Sequence, residues 1–307
     1  MNHCMIELRR TTKMLSPSSV TAISVTHNSQ HCIDSLADSL TSFNHVMIVD
    51  NGSSDGTTTK IAEKLPTAQL IESPRNLGFG AANNLALELV ATPYALLLNP
   101  DCIVQADEID HLLSAASTYP DAAILAPQLI RSDGRAEVSY RWPTGTWRST
   151  GPAADGPCCV GFVSGAVMLL NVSVMRDIGF FDERFFLYYE DEDLCRRVFL
   201  HKAQLIVVPQ ARFTHLSRGS VRGQSPLRSE FNRGYHHAQS KLIFEHKYLG
   251  AKKAEKLRWR TLALALLTLI PRILLPQPKY LARLSGRIVG LYQWQMNGLK
   301  QVSTNQP

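Results

Sequence analysis

None of the six cysteines (Cys4, Cys32, Cys102, Cys158, Cys159 and Cys195) falls in a C-x-x-C pair, which removes zinc-ribbon and thioredoxin-type readings. Cys158 and Cys159 are adjacent, which suits neither structural zinc nor an ordinary disulfide, so free thiols in a reducing compartment are expected. A continuous apolar segment near the start is also missing. The leader "MNHCMIELRRTTKMLSPSS" has no secretory h-region and reads as disordered over 1–18. No internal repeat is present. The run "LALALLTLIPRILL", residues 262–275, is broken by Pro271 and Arg272 and is shorter than the roughly 18–20 apolar residues that a spanning helix needs. Finally, the turn after the first strand, "THNSQH", has no glycine, which excludes a dinucleotide fingerprint at its usual place.

What is present fits one large α/β domain with appendages: 307 residues, 45% hydrophobic and 19% charged. Charge is unevenly placed. Residues 251–300 carry ten Lys/Arg and one acid, Glu255, a local +9 in a chain whose total is +6, so the remainder is mildly acidic. The basic segment surrounds the apolar run and has Trp259, Tyr280, Tyr292 and Trp294 nearby. Cations flanking an apolar stretch predict a helical tail, 246–307, that is amphipathic and basic and lies on an anionic membrane surface. The alternative is a C-terminal helix packed on the domain with a solvated basic face. Nucleic acid is not expected as a partner, because the cations are interleaved with long aliphatic runs.

From residue 19 to about 130 strand and helix patterns alternate: "VTAISVTHN", "CIDSLADSL", "HVMIVD", "IAEKL", "AQLIES", "GAANNLALELV", "YALLLN". This rhythm predicts a doubly wound, mostly parallel sheet, with ligands outside the carboxyl ends of its strands. This half spans 19–130 and the second half 131–245. The second half contains a Pro/Gly-rich stretch, 141–161, read as a mobile loop, then a strand "FVSGAVMLLN", a helix "SVMRDIG", a helix opening on "EDED", and a strand "QLIVVP". His236 and His237 are adjacent and cannot share a helical face, and no role is assigned to either; His201 and His246 are expected at the surface.

Polar residues gather at the predicted strand ends: Thr26 and Asn28, Asp50 and Asn51, Arg75 and Asn76, Asn99 and Asp101. In "VDNGSSDGT", Asp55 caps the next helix, while Asp50 or Asn51 is available to a base or ribose beside a close-approach glycine. In "LNPD", two oxygen-bearing side chains flanking a proline can face one divalent cation, or can simply form a helix-capping turn. "NLGFGAANN" contains Gly78-x-Gly80 but has Asn83 at the third position and follows the third strand, so it fails as a dinucleotide motif. Its glycines are expected to let the next helix begin close to the ligand.

"SVTHN", "VDNGSSDGT", "SPRNLGFGAANN", "LLLNPD", "GAVMLLNVSVMRDIGFFDERFFLYYEDEDLCRR" and "THLSRGS", in this order, resemble a family 2 glycosyltransferase of the bacterial rhamnosyltransferase-like branch. The resemblance covers about 19–220. It implies a GT-A fold, with 19–130 as the donor-binding half and 131–245 as the acceptor and catalytic half of the same domain, a nucleotide-sugar donor, a divalent metal (Mg2+ or Mn2+) and inversion at the anomeric carbon. By this resemblance Thr26, Asn28, Asp50, Asn51, Arg75, Asn76 and Asn83 belong to the donor-nucleotide set. Asn99-Pro100-Asp101 stands where the family has a D-x-D metal motif, with Asn in place of the first acid, so Asp101 carries most of the coordination. His215 completes the metal or diphosphate site, with Arg218 beside the leaving group.

An inverting transfer needs a base for the acceptor hydroxyl. Four consecutive acids at a helix start raise one another's pKa, partly offset by the helix dipole. The family match selects Asp191 as base, with Glu190 second; Glu192 and Asp193 orient the site or pair with Arg196 and Arg197. The expected activity is transfer of rhamnose from dTDP-rhamnose to a polyprenyl-linked glycan in cell-envelope synthesis, on the cytoplasmic face of the membrane. The competing expectations are a UDP-hexose or UDP-N-acetylhexosamine donor, or a non-catalytic sugar-nucleotide-binding scaffold.

Overall fold

The computed structural model describes residues 15–141, 152–216, 226–274 and 277–294. The first half alternates as expected: β1 (Val20–Thr26), α1 (Ile33–Leu40), β2 (His45–Asn51), α2 (Thr57–Lys64), β3 (Gln69–Ser73), α3 (Phe79–Leu87) and β4 (Tyr94–Leu98). There follow β5 (Cys102–Ile103), α4 (Ala106–Thr118) and β6 (Ala122–Ile130), then the short strands β7 (Ala136–Glu137), β8 (Tyr140–Arg141), β9 (Cys158–Cys159) and β10 (Phe162–Val163). The domain closes with β11 (Val167–Asn171), α5 (Val172–Ile178), α6 (Glu190–Leu200) and β12 (Gln204–His215). Four helices complete the described residues: α7 (Pro226–Leu249), α8 (Ala251–Leu267), α9 (Leu269–Leu274) and α10 (Pro278–Gln293).

The main sheet runs β3-β2-β1-β4-β11-β6-β12-β5. β1 is parallel to β2 and β4, β2 to β3, and β6 to β12, whereas β11 lies antiparallel between β4 and β6. Alternating side chains fill two cores, one on each face. Ala22, Leu96 and Leu98 pack with Ile33, Leu36 and Leu112 of α1 and α4. Ile23, Ala95 and Leu97 pack on the other side with Ala82, Leu87, Leu194 and Val198 of α3 and α6.

Three segments depart from the sequence pattern. The expected strand "FVSGAVMLLN" is split into β10 and β11, because the backbone at 164–166 bonds outward: Ser164 N–H to the Ser139 carbonyl, Gly165 N–H to the Asp191 carboxylate, and the Ala166 carbonyl to the Asn99 N–H. The strand expected at "QLIVVP" runs on to His215, through an irregularity between Val208 and Arg212. Its far end pairs antiparallel with β5, setting His215 opposite Cys102. Within the expected loop 141–161, residues 142–151 lie outside the described residues, and Cys158–Cys159 pairs with β12.

Of the expected leader, 1–14 lie outside the described residues, and Pro17–Ser19 form a 3-10 turn. Helix α7 runs straight through the expected boundary at 245. Among the described residues, no helix is long and apolar enough to cross a membrane. The tail helices pack on one another around Ala238, Leu242, Ala254, Leu262, Leu291 and Trp294. α7 and α10 cross at glycine: a Cβ on Gly234 would lie 2.0 Å from the Arg283 carbonyl oxygen, and one on Gly286 2.0 Å from that of Phe231. Only hydrogen fits there. His246, expected at the surface, is half-buried with its ring near Trp294.

Candidate functional site

A cleft of about 470 Å³ opens at the carboxyl ends of β1, β2 and β4. Its floor is Val25, His27, Asn51, Asn76, Gly78 and Asn99–Pro100–Asp101; its far wall is Phe186, Leu187 and Tyr188, then Arg233 and His236 of α7. The ligand edge is thus where a doubly wound sheet puts it. Four of the expected donor residues (Asn51, Asn76, Asn99 and Asp101) and His215 line this one cleft.

The other expected donor residues do not line it. Asp50 is buried and accepts from Ser53 N–H (2.9 Å), Ser53 Oγ (2.5 Å) and Thr26 Oγ1 (3.2 Å). Both Asp50 and Thr26 therefore hold the β1 and β2 ends together. Asn28, at φ +52°, accepts from Ser54 N–H (2.8 Å) and does the same for the next turn. Arg75 is exposed, and Asn83 is buried with its amide on the Phe79 carbonyl (2.9 Å). Even Asn51, in the cleft floor, is engaged: its amide donates to Asn76 Oδ1 and the Gly78 carbonyl, and its oxygen accepts from Leu77 N–H.

The Gly78-x-Gly80 stretch needs a correction. Gly78 borders the cleft at φ +90°, but a Cβ there would sit 2.2 Å from the Phe186 carbonyl oxygen. That oxygen accepts the Phe79 N–H at 3.0 Å. A Cβ on Gly80 would press on the Phe181 side chain at 2.9 Å. The glycines admit the chain just before α6, not a ligand.

Antiparallel pairing of β12 with β5 brings His215 Nε2 to 3.8 Å from Asp101 Oδ1, and Leu216 N–H bonds the Asp101 carbonyl at 3.0 Å. His215 Nδ1 meets Glu137 at 3.4 Å. Burial works to lower the His215 pKa, but the Glu137 bond and the Asp101 charge outweigh it and hold it above the ordinary value. Asp101, Cys102 and His215 each bring a potential metal-ligand atom within 4.8 Å of the others. The Cys102 thiol contacts the Ala166 carbonyl, and burial pushes its pKa well up, so it stays protonated. The residues fit a divalent cation held by Asp101 and His215, with Asn99 adjacent in the floor. Arg218 lies outside the described residues.

The four acids have four environments. Glu190 is buried, with Oε2 lacking a hydrogen-bond partner among the described residues, and desolvation together with the Asp191 charge pushes its pKa well up. Asp191 accepts from Gly165 N–H (3.2 Å) and Glu192 N–H (2.8 Å); burial raises it to about 6, against the lowering effect of Gly165 N–H and Arg141. Asp191 is not itself in the cleft lining. It lies behind Gly165, which also abuts the Phe79 ring in the cleft wall.

Glu192 pairs with Arg141 rather than with Arg196, whose guanidinium stacks 4.0 Å over the Tyr248 ring. Asp193, fully buried, pairs with Arg197 (2.9 Å) as expected, and also takes Lys247 (2.6 Å) and the Tyr248 hydroxyl (2.8 Å). It bolts α7 to α6. Tyr188 and Tyr189 ahead of α6 both have positive φ, 68° and 69°, a conformation worth of order 1–3 kcal/mol of strain per residue.

Three lining residues, Tyr188, Arg233 and His236, were not legible in the sequence as site residues. His236 stacks on Phe186 at 4.3 Å between ring centres and faces the cleft, while His237 faces the other side of α7. Their adjacency does place them on different faces, but one of those faces is the cleft.

The family model described as "Glycosyl transferase family 2" matches residues 21–179, more than half of the chain. The chain belongs to that family. A curated relative from Mycobacterium tuberculosis, N-acetylglucosaminyl-diphospho-decaprenol L-rhamnosyltransferase, is 29% identical over 247 residues, covering 70% of this chain and 78% of its own. The low-salt glycan biosynthesis hexosyltransferase Agl10 of Haloferax volcanii is 24% identical, covering 79% and 80%. Among solved structures, the mannosyltransferase PcManGT of Pyrobaculum calidifontis, in complex with GDP-Man and Mn2+, superposes with TM-score 0.52 at 15% identity over 95% of this chain and 90% of that one. S. aureus TarS with UDP-GlcNAc gives TM-score 0.52 at 17% identity, over 73% and 66%. These likenesses agree with the expected GT-A architecture, and the family membership makes this family 2 protein a glycosyltransferase.

Proposed function

We propose that this family 2 glycosyltransferase transfers a sugar with inversion from a nucleoside-diphosphate sugar, rhamnose from dTDP-rhamnose, to a polyprenyl-diphosphate-linked glycan at the cytoplasmic membrane face. The observation that carries this reading is the convergence of Asn51, Asn76, Asn99, Asp101 and His215 on one sheet-edge cleft. The M. tuberculosis relative, named for a lipid-linked N-acetylglucosamine acceptor and rhamnosyl transfer, supports the choice of sugar and acceptor.

In this reading Asn76, held in place by Asn51, meets the nucleotide, and Asp101 and His215, with Asn99, hold a divalent cation. That cation would supply positive charge to the departing diphosphate. Asp191 takes the proton of the acceptor hydroxyl. Its half-buried carboxylate, held by Gly165 N–H and raised to about 6, is ionised at neutral pH yet basic enough to work. Glu190, kept neutral by burial, places no second negative charge beside it. Exposed Trp259, Leu264, Leu267, Ile270, Ile273 and Leu274 on α8 and α9, among the tail's cations, suit a membrane surface.

Calorimetric titration of dTDP, UDP and GDP, each with magnesium and again with EDTA, tests the donor site. Metal-dependent binding of dTDP is expected. Preference for UDP would move the donor to a UDP-sugar, and binding of none would remove the reading.

A further inference from the structure

A second cavity, about 90 Å³, lies at the junction of α7, α8 and α10 and is lined by His237, Lys241, Leu257, Thr261, Arg287 and apolar neighbours. Among the described residues, its lining carries no acid. Arg287 is half-buried, and neither it nor Lys241 has a hydrogen-bonding or ion-pair partner among the described residues. The nearby acids do not serve it: Glu230 is taken by Arg283 (2.5 Å), and Glu245 on α7 makes no ion pair with it. Arg272 and Arg283 add like charge, and both lower the Arg287 pKa after burial itself. His237 is likewise depressed to about 4, first by burial and then by Arg287, Lys241, Arg233 and Arg283, so at neutral pH it is an uncharged hydrogen-bonding group.

Half-buried like charges repel one another in a low-dielectric setting, and an anion seated among them relieves both the repulsion and the unmet donors. A guanidinium, an ammonium, a threonine hydroxyl and an imidazole around one small cavity match the several oxygens of a phosphate. From Arg287, Lys241, Thr261 and His237 around this cavity we infer that the helical tail contains a binding site for a phosphate or diphosphate ester, separate from the sheet-edge cleft.

Its position suggests a use. The His237 ring packs on those of Tyr188 (5.8 Å) and Tyr189 (5.4 Å). Tyr188 lines the main cleft, and Tyr189 immediately precedes Glu190 and Asp191. On the other side, Thr261 stands in the helix that carries the exposed Leu264, Leu266 and Leu267. A lipid-linked phosphate held here would have apolar surface for its chain on one side and the acid pair on the other. Assigning that phosphate to the acceptor rests on the proposed transferase reading; the anion site does not.

The test uses the full chain and two probes: inorganic pyrophosphate by calorimetry in EDTA, and flotation with phosphatidylcholine vesicles that are plain, doped with a polyprenyl phosphate, or doped with phosphatidylglycerol. The Arg287→Gln/Lys241→Gln pair is compared with wild type, with Arg287→Lys as partial rescue, and with Arg135→Gln as an exposed-cation control. Expected is a loss of about tenfold or more in affinity for at least one anionic probe, restored in part by Arg287→Lys and untouched by Arg135→Gln. Loss with pyrophosphate marks a site for free phosphate; loss only with doped vesicles marks a lipid headgroup. Equal behaviour of wild type and the double variant toward every probe overturns the site. Nucleoside-diphosphate titration with magnesium, run on the same variants, reports folding and the donor site independently: it stays at wild-type values if the two sites are separate.

Discussion

The sheet edge and the helical tail treat polar side chains in opposite ways. At the edge Thr26, Asn28, Asp50 and Ser53 bond one another, and Asn51 bonds Asn76, Leu77 and Gly78 beyond the third strand. The cleft floor is preorganised, and few groups are left over to meet a ligand. In the tail, Arg287 and Lys241 have no such partners among the described residues, and like charges crowd together. A polar group near a site can serve as scaffold or as contact; burial and bonding tell the two apart, and residue type does not.

Perturbations of either region test this contrast. The largest effect is expected from Asp191→Asn, which leaves the edge network untouched: transfer should fall about 10²- to 10⁴-fold while nucleoside-diphosphate titration stays at the wild-type value. An unchanged transfer rate would remove Asp191 as base. Gly78→Ala attacks the scaffold instead, forcing a Cβ at φ +90° against the Phe186 carbonyl; urea unfolding should show a loss of about 2–4 kcal/mol, and an unmoved midpoint would contradict the packing described.

Asp101→Asn should cost about tenfold or more, near 1.4 kcal/mol, of the magnesium-dependent part of nucleotide binding and leave the EDTA value alone. Equal loss in both would place Asp101 in nucleotide contact without metal. Lys247→Met removes the cation shared by Asp182 and Asp193. A loss of about 1–2 kcal/mol is expected, with earlier proteolytic cleavage in the tail than in the sheet domain. Lys247 and Arg184 hold Asp182 well below the usual carboxylate range against burial, so the Asp182 part of this stability is present at neutral pH and is lost as acid titrates the group.

pH is the gentlest probe. The Asp191 carboxyl sits at about 6 in the fold, above its ordinary value, and the proposed base role needs it ionised. The transfer rate should therefore fall as pH drops through about 6, and Asp191→Asn should abolish that limb. The sign for stability is opposite: a raised carboxyl favours the fold while protonated, a contribution lost as pH rises through about 6.

Much of this was legible in the sequence. Strand and helix alternation through "YALLLN" follows from apolar periodicity, which is local. Asn99, Asp101 and Asn76 could be placed in the cleft because strand ends in a doubly wound sheet share one edge. The roles of Asp50, Thr26 and Asn28 were not legible, because whether a polar side chain bonds a ligand or its neighbour depends on a partner some 25 residues away. His236 and Arg233 were hidden for the same kind of reason: they reach the cleft only because α7 folds back onto the loop before α6.

The sequence by itself determined the family, the alternating sheet and the order of its strand-end motifs, since these reside in short contiguous words. Tertiary structure decided which of the four consecutive acids is neutral, ionised or ion-paired. It also set His215 beside Asp101 and gathered Arg287, Lys241 and His237 around one cavity. Those outcomes turn on burial and on charges brought together from distant segments, and both come into being only when the chain packs.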